Sequence, residues 1–502
     1  MTVLRPGQTC WRVDPADRAA FLVDNQDYFT AAYEAMLRAK KQIILLGWGF
    51  DPRTRLAPDG GMGKSEPDEI ARILLDVSRA NPDLDVRLLI WKSAFPVSAS
   101  QDFFPHRAKA WFKGSRVHFH LDDMVPLGAC HHQKVLVIDD QVAFVGGGDF
   151  CADRWDSTAH LDTDNRRRLV NHPCHSPRHE VMMMVDGAAA RALGELSRQR
   201  WKIATHQTID PPSPSAEDPW PDFIRPHMED VEVAIARTLP AWHGARLVDE
   251  IRGLTFASIA AAKERIYIEN QYMTSPLYAE AIAARLLEPG GPEVVLMSTE
   301  RSPSWFDQLT MDKTRALFMR RLREADVFGR FQAYCPETTG GEVIIVHAKT
   351  SVFDDDLVRV GSANMNNRSG GFDTELELAI EARTDGHRQA IRAFRNTLVG
   401  HYLGRTPDVV QGVVDDHGGL APGLAAMNHG GRLRPIAPEQ LTRFEQLIAA
   451  FHLGDPTQTA DSMRPWRRRV QLDHQIRSLA AGSRPLPLVE AATVSKSITS
   501  GK

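Results

Sequence analysis

Polar and apolar positions along this chain follow two alternating rhythms. Stretches with a helical repeat, Asp27 to Lys40 and Leu247 to Lys263, each run into a short, β-branched, continuously apolar segment. Another helical stretch, another apolar strand and then a histidine-bearing segment follow in both places. Brief strands that are apolar on both faces belong to sheets covered on both sides. The pattern therefore predicts an α/β layer structure with buried sheets.

The pattern occurs twice. Ala39-Lys40-Lys41-Gln42-Ile43-Ile44-Leu45 reads against Ala262-Lys263-Glu264-Arg265-Ile266-Tyr267-Ile268. Asp85-Val86-Arg87-Leu88-Leu89 reads against Glu293-Val294-Val295-Leu296-Met297, and His132-Gln133-Lys134 against His347-Ala348-Lys349. Three similar blocks in one order, at nearly constant separation, indicate duplication of a whole domain, and the spacing is far too long for a solenoid. The halves are expected at 1–205 and 229–405. A connecting loop at 206–228 is marked by Pro211-Pro212-Ser213-Pro214 and Pro219-Trp220-Pro221. After about Val410 the pattern fades, so 406–502 is expected to be a C-terminal extension with a disordered tail from Ser483.

Each half carries one motif: His132-x-Lys134-x4-Asp139-x6-Gly146-Gly147-x-Asp149 and His347-x-Lys349-x4-Asp354-x6-Gly361-Ser362-x-Asn364. In a strand, residues two apart face one way, so the histidine and lysine of each motif project together. Asp139 and Asp354 point off that face, which suits structural hydrogen bonding at least as well as chemistry. The glycines let backbone approach a bound group closely, with Asp149 or Asn364 adding a polar side chain beside it. Two imidazoles and two ammonium groups converging on one pocket suit a phosphate ester. The lysines offset the oxygen charge, one imidazole attacks phosphorus and the other protonates the leaving alcohol. Glu269, Asn270 and Gln271, at a strand end, either line this pocket or cap the strand.

Composition narrows the possibilities. The 502 residues are 43% hydrophobic and 25% charged, with a formal net charge of −4, so there is no basic excess to receive nucleic acid. Five cysteines without a CxxC pair make a disulfide framework or a thiolate metal site unexpected. His131 and His132 sit on opposite strand faces and no other histidine spacing resembles a ligand set, so neither metal nor cofactor is expected. The N-terminus does not read as a cleavable signal peptide, and no apolar run approaches the roughly 18 residues of a membrane span. The expectation is a soluble or membrane-peripheral protein, either cytoplasmic or exported without a cleavable signal.

The stretches Cys130 to Lys134, Ala143 to Asp149 and Arg154-Trp155-Asp156 resemble the first catalytic motif of eukaryotic-type phospholipases D. Ile266-Tyr267-Ile268-Glu269-Asn270-Gln271-Tyr272 and Gly361 to Ser369 are similar to two further blocks of those enzymes, and the resemblance covers about residues 25 to 405. It implies two similar α/β domains packed as a pseudo-dimer with the active site at their interface, for which a two-domain monomer suffices. His132 is implied as the nucleophile that forms a phosphohistidine, and His347 as the general acid and later base. Lys134, Lys349 and Asn364 are implied to hold the phosphate, with Asp149 in the position matching Asn364. Glu180 and Glu375 are implied as the carboxylates that orient the histidines. The implied activity is hydrolysis of phosphatidylcholine or phosphatidylethanolamine at a membrane surface, with transphosphatidylation through the same intermediate. The alternatives are a cardiolipin synthase-type transferase, a nuclease, or an inactive membrane-binding scaffold.

Overall fold

A computed structural model describes residues 2–58, 68–93, 105–168, 174–302 and 304–480. The first half contributes β1 (Arg12–Val23), β2 (Gln42–Gly47), β3 (Asp85–Trp91), β4 (Val117–Asp122), β5 (Val135–Ile138), β6 (Val142–Gly146), β7 (Arg178–His179) and β8 (Val181–Asp186). The second contributes β9 (Met228–Leu239), β10 (Val248–Asp249), β11 (Arg265–Asn270), β12 (Glu293–Met297), β13 (Phe331–Pro336), β14 (Ile345–Val346), β15 (Lys349–Phe353), β16 (Leu357–Gly361) and β17 (Glu375–Glu381), followed by β18 (Leu433–Pro435).

One continuous sheet runs β18-β13-β12-β11-β15-β16-β17-β9-β1-β8-β6-β5-β2-β3-β4. The order on either side of β9 and β1 is the same order read outward, so the duplication seen in sequence is a duplication of topology. The antiparallel pairing of β1 with β9, from Arg12↔Ile235 to Ala19↔Met228, is the seam. Three consecutive strands of each half, β2-β3-β4 and β11-β12-β13, run parallel, as helical crossovers require.

Both faces of the sheet are covered, which is why the strands read as unbroken apolar runs. In β2, Ile44 and Leu46 face a core shared by both halves, while Ile43 and Leu45 face a core belonging to the first half. Two long helices, Gly187–Thr205 and Asp385–Leu403, contribute to the shared core, where Phe21 stacks on Phe394 with ring centroids 4.1 Å apart. The first-half core lies beneath Asp24–Arg38 and Ile70–Ala80, and the second-half core beneath Glu250–Ala261, Pro276–Leu286 and Lys313–Ala325.

Three segments are better anchored than their sequence suggests. Val3, Leu4 and Cys10 pack into the second-half core, so the chain crosses between halves before β1 begins. The connecting loop is held by buried Trp220, whose indole donates to the Ile224 carbonyl at 2.9 Å. Residues after Val410 are helical over much of their length, and β18 extends the sheet by pairing with β13. The tail from Ser483 lies outside the described residues. No described helix is long and apolar enough to cross a membrane.

Asp139 and Asp354 act at equivalent points of the two halves. Asp139 accepts from the backbone N–H groups of Lys40, Lys41 and Gln42 at 2.7, 2.8 and 2.7 Å. Asp354 accepts from Lys263, Glu264 and Arg265 at 2.9, 2.8 and 2.8 Å. Each carboxylate thus fixes the turn from a helix into the strand beside its motif. Asp139→Ala and Asp354→Ala are each expected to destabilise the fold by about 3 kcal/mol, because three backbone donors lose a charged acceptor. Urea denaturation measures this, and the folded fraction should keep its turnover per molecule.

Candidate active site

The site is built by exchange between the halves. The segment leading into His132 runs beside the segment leading into Glu375: the Thr374 N–H donates to the Cys130 carbonyl and the His132 N–H to the Thr374 carbonyl, both at 3.0 Å. The segment leading into His347 runs in the same way beside the one leading into Glu180, with β14 parallel to β7 and the His347 N–H donating to the His179 carbonyl at 2.9 Å. Each histidine is therefore seated on the strand that carries the other half's glutamate.

The side chains repeat the crossing. His132 Nδ1 lies 2.9 Å from Glu375 Oε2, and His347 Nδ1 hydrogen-bonds Glu180 Oε2. Both glutamates are buried, and each Nδ1 is committed to a carboxylate, which leaves Nε2 as the reactive nitrogen. Glu375 also accepts from the hydroxyls of Ser362 and Ser369. Burial, helped by Asp373, pushes Glu375 up to about 8, and burial pushes Glu180 up to about 7 against the pull of Lys349.

Gly147 and Ser362 occupy the same motif position, and the difference between them is used. A Cβ on Gly147 would run into the Glu180 carboxylate, so only glycine leaves that carboxylate its place. In the second half the Ser362 hydroxyl reaches the Glu375 carboxylate instead. Gly146 and Gly361 are closed in by the backbone carbonyls of Val181 and Leu376, so both are glycine for close strand packing.

Lys134 and Lys349 are buried, and each donates to the carbonyl of its own motif histidine. Lys134 also faces Asp149 Oδ2 at 3.3 Å, and Asp149 Oδ1 accepts from the N–H groups of Trp48 and Gly49 at 2.9 and 3.1 Å. Lys349 meets Gln271 Oε1 at 3.2 Å. Burial lowers Lys349 to about 7, although Glu180 works in the other direction. The two halves share one electrostatic pocket. Burial first, then Lys134 and Lys349 for His132 and Lys349, Arg154, Arg178 and Lys134 for His347, hold both imidazoles well below their ordinary value.

Of the three strand-end residues, Gln271 is the one that touches a motif lysine. Glu269 turns to His179 Nε2, 2.7 Å away, and also accepts from the Tyr267 hydroxyl. Asn270 bridges backbone, donating to the Ala363 carbonyl and accepting from the Met365 and Tyr272 N–H groups. Asn364 is buried with its Oδ1 lacking a hydrogen-bond partner among the described residues. His131 faces away from His132 and pairs with Asp122 at 2.7 Å.

Further contributors stand outside the two histidine motifs, although Arg154 and Ser369 lie in the stretches that carry the resemblance. Arg154 and Arg178 are buried near His347 and lower its basicity, and Ser369 braces Glu375. Sequence spacing gives no reason to expect metal ligands, yet the fold gathers Asp24, His160, His179 and His401 from four separate segments into a group able to hold an ion.

Two family models match the chain, one described as phospholipase D over residues 35–216 and one as the phospholipase D-like domain of cardiolipin synthase over 256–398. Phospholipase D1 of Saccharomyces cerevisiae is 23% identical over an alignment that covers 90% of this chain and 31% of that protein. Phospholipase D2 of Bos taurus is 23% identical, covering 73% and 50% respectively. Phospholipase D B of Dictyostelium discoideum is 30% identical over a shorter stretch, 29% of this chain and 12% of that protein. The chain thus spans half or less of the length of these relatives. The crystal structure of phosphatidylserine synthase from Haemophilus influenzae superposes with a TM-score of 0.52 at 15% identity, over 82% of this chain and 96% of that one. Each half of the duplicated α/β chain is thus matched by its own phospholipase D-type model, and the chain belongs to the phospholipase D superfamily.

Proposed function

We propose that the chain is a phospholipase D-type phosphodiesterase that cleaves phospholipids, such as phosphatidylcholine or phosphatidylethanolamine, to phosphatidic acid and the headgroup alcohol. The observation that carries this reading is the crossed pair of histidines, each with Nδ1 on a buried carboxylate of the opposite half and each facing the charge of both motif lysines.

In this reading His132 Nε2 attacks phosphorus while the His347 Nε2–H gives its proton to the departing alcohol oxygen. The phosphorus–oxygen bond breaks as the phosphorus–nitrogen bond forms. Water then attacks the phosphohistidine, His347 takes the water's proton, and His132 is released. The assignment of roles has electrostatic support. Glu180 apart, the charges that act most on His347 are Lys349, Arg154, Arg178 and Lys134, which favour giving up a proton. Around His132 the lysines are offset by Asp373 and Asp149, which favours a more electron-rich nucleophile. A bound phosphodiester would draw the lysines' charge onto its own oxygens, restoring the proton His347 needs as an acid.

A lipid surface suits the exposed aromatic pair Trp305 and Phe306, 71% and 49% accessible, on a short helix tied to the site because the Tyr272 hydroxyl meets Asp307 at 3.0 Å. Transfer to an alcohol is the second reading, favoured by the cardiolipin synthase description of the model that matches residues 256–398. It uses the same intermediate and differs only in the acceptor.

His132→Ala and His347→Ala should each lower turnover on mixed phospholipid vesicles by about 10³-fold or more, since nucleophile and acid act as a unit. A folded variant that keeps roughly a tenth of the activity would contradict the two-histidine mechanism. In the same assay, added primary alcohol should divert product from phosphatidic acid to phosphatidyl alcohol, with configuration at phosphorus retained through two inversions. Rapid denaturing quench of Glu375→Gln, which is expected to slow turnover, should trap lipid label on His132.

Stability should also report the buried glutamate. Glu375 is held up to about 8, whereas the unfolded chain loses that proton near the ordinary 4.5. The native state therefore binds the extra proton between those values. The stability Glu375 contributes is full below 4.5 and is lost as pH rises through about 8. Glu375→Gln removes this titration, so its stability relative to wild type should climb across that window. Urea denaturation at both ends of the window measures the difference, and parallel pH profiles would refute it.

A further inference from the structure

Behind Glu180, on the side away from the paired lysines, four residues meet that the phosphodiester mechanism does not use. Asp24 opens the first helix, His160 lies in the loop after the first motif, His179 is on β7, and His401 lies near the end of helix Asp385–Leu403. One potential ligand atom from each lies within 4.8 Å of the others. Asp24 and His160 are each 1% exposed, and His179 is fully buried.

Hydrogen bonding fixes which atoms are available. His160 Nδ1 lies 2.8 Å from Asp156 Oδ2, and His401 Nδ1 lies 3.3 Å from the Thr397 carbonyl. Both partners only accept, so each Nδ1–H donates to its partner, and each Nε2 is the remaining ring nitrogen, a metal donor whenever the ring is neutral. Asp24 Oδ1 accepts from His179 Nδ1 at 2.8 Å and from the Glu180 N–H at 3.1 Å, which leaves Oδ2 as a second acceptor. Asp24 Oδ2, His160 Nε2 and His401 Nε2 are all buried with no hydrogen-bond partner among the described residues. Asp24 Oδ2 and His160 Nε2 pair with each other only loosely, at 3.4 Å, so these buried polar atoms are poorly satisfied by one another.

The geometry points to a divalent transition-metal site, of the zinc class, held by Asp24 Oδ2, His160 Nε2 and His401 Nε2, with one water completing a four-coordinate shell. Two imidazoles and a carboxylate are ordinary zinc donors. His160 Nε2 lies 3.4 Å from Asp24 Oδ2. Two ligands on a tetrahedral ion with bonds of about 2.1 Å stand about 3.4 Å apart. The outer partners match what metal ligands need: a carboxylate on one imidazole, a backbone carbonyl on the other, and an N–H donor on the ligating carboxylate. His179 has both nitrogens on carboxylates, Asp24 at 2.8 Å and Glu269 at 2.7 Å, so it braces the ligand and does not bind the ion.

The placement gives the ion a task. Asp24 and His160 belong to the first half and His401 to the second, so the ion clasps the halves together. Asp24 also holds the Glu180 N–H, and the His179 carbonyl accepts from the His347 N–H. The clasp therefore sits directly behind the strand that orients His347. It takes no part in phosphate chemistry, and the inference stands whether or not the proposed activity is correct.

The test is metal content and stability of the full chain, not turnover. Protein expressed with zinc and then desalted should hold about one equivalent per chain by mass spectrometry. Extraction with a strong chelator should lower its melting temperature, and added Zn²⁺ should restore it. Co²⁺ in place of zinc should give the visible absorption of a four-coordinate N/O site. His401→Gln and His160→Gln, with folding verified by circular dichroism, should each hold less than about a tenth of an equivalent. If the variants do not fold, wild type decides alone: negligible zinc together with no thermal shift from Zn²⁺ or Co²⁺ overturns the site. So does zinc retained in full by both folded variants.

Discussion

The molecule depends on a reciprocal exchange of strands, in which each motif histidine is fixed by the half that does not encode it. Backbone bonds from His132 to Thr374 and from His347 to His179 set the position of each ring, and Glu375 and Glu180 set its orientation. Neither half alone can build a working imidazole–carboxylate pair. The long β1–β9 seam and the shared core beneath the two dyad-related helices hold the exchange in register. A slip of one residue along the seam would invert every side chain of β1 relative to β9 and separate both pairs at once. Rigidity at the seam is thus a condition of the chemistry, and it explains why the connecting loop and the N-terminal arm are anchored so firmly.

Buried charge is the second constraint. Two lysines, two glutamates and Asp149 are almost fully excluded from water, and removing one partner from such a set costs about 3–5 kcal/mol. The site meets the cost by interlocking. Asp149 serves Lys134 and two N–H groups, Glu375 serves His132 and two serines, and Gln271 supplies an acceptor to Lys349. In the proposed reaction a phosphodiester would meet cationic charge already in place, so little reorganisation would be needed as charge develops on its oxygens.

The duplication, the α/β layering and the two motifs were readable because each rests on local pattern: strand alternation, apolar runs and fixed spacing. The paired capping by Asp139 and Asp354 was half readable, since strand geometry turned them off the histidine face but could not name their backbone partners. The crossing of the glutamates was not readable, because nothing in the spacing of Glu180 or Glu375 says which histidine it reaches. Nor was the contribution of the C-terminal extension. Asp455 accepts from the Thr274 hydroxyl, the Asn367 side chain and the N–H groups of Asn367 and Arg368, and so fixes the loop after Asn364 from 88 positions away in sequence. Residues that act through such long-range bonds leave no periodic trace. The cluster of Asp24, His160, His179 and His401 escaped for the same reason.

Duplication alone would give two equivalent histidines, and the proposed reaction, with distinct nucleophile and acid, needs them to differ. Some departures from symmetry fall where they can supply that difference. Where the first motif has Gly147 and Asp149, the second has Ser362 and Asn364. Asp149 pairs with Lys134, while the matching side-chain contact of Lys349 is the neutral amide of Gln271. Serine hydroxyls donate to Glu375, whereas Glu180 packs against bare glycine and lies near the buried guanidinium of Arg178. The net result is a more negative surrounding for His132 and a more positive one for His347. A fold that holds the two rings in near-identical geometry can thus assign them opposite roles by changing a few neighbours, with no change in either histidine itself.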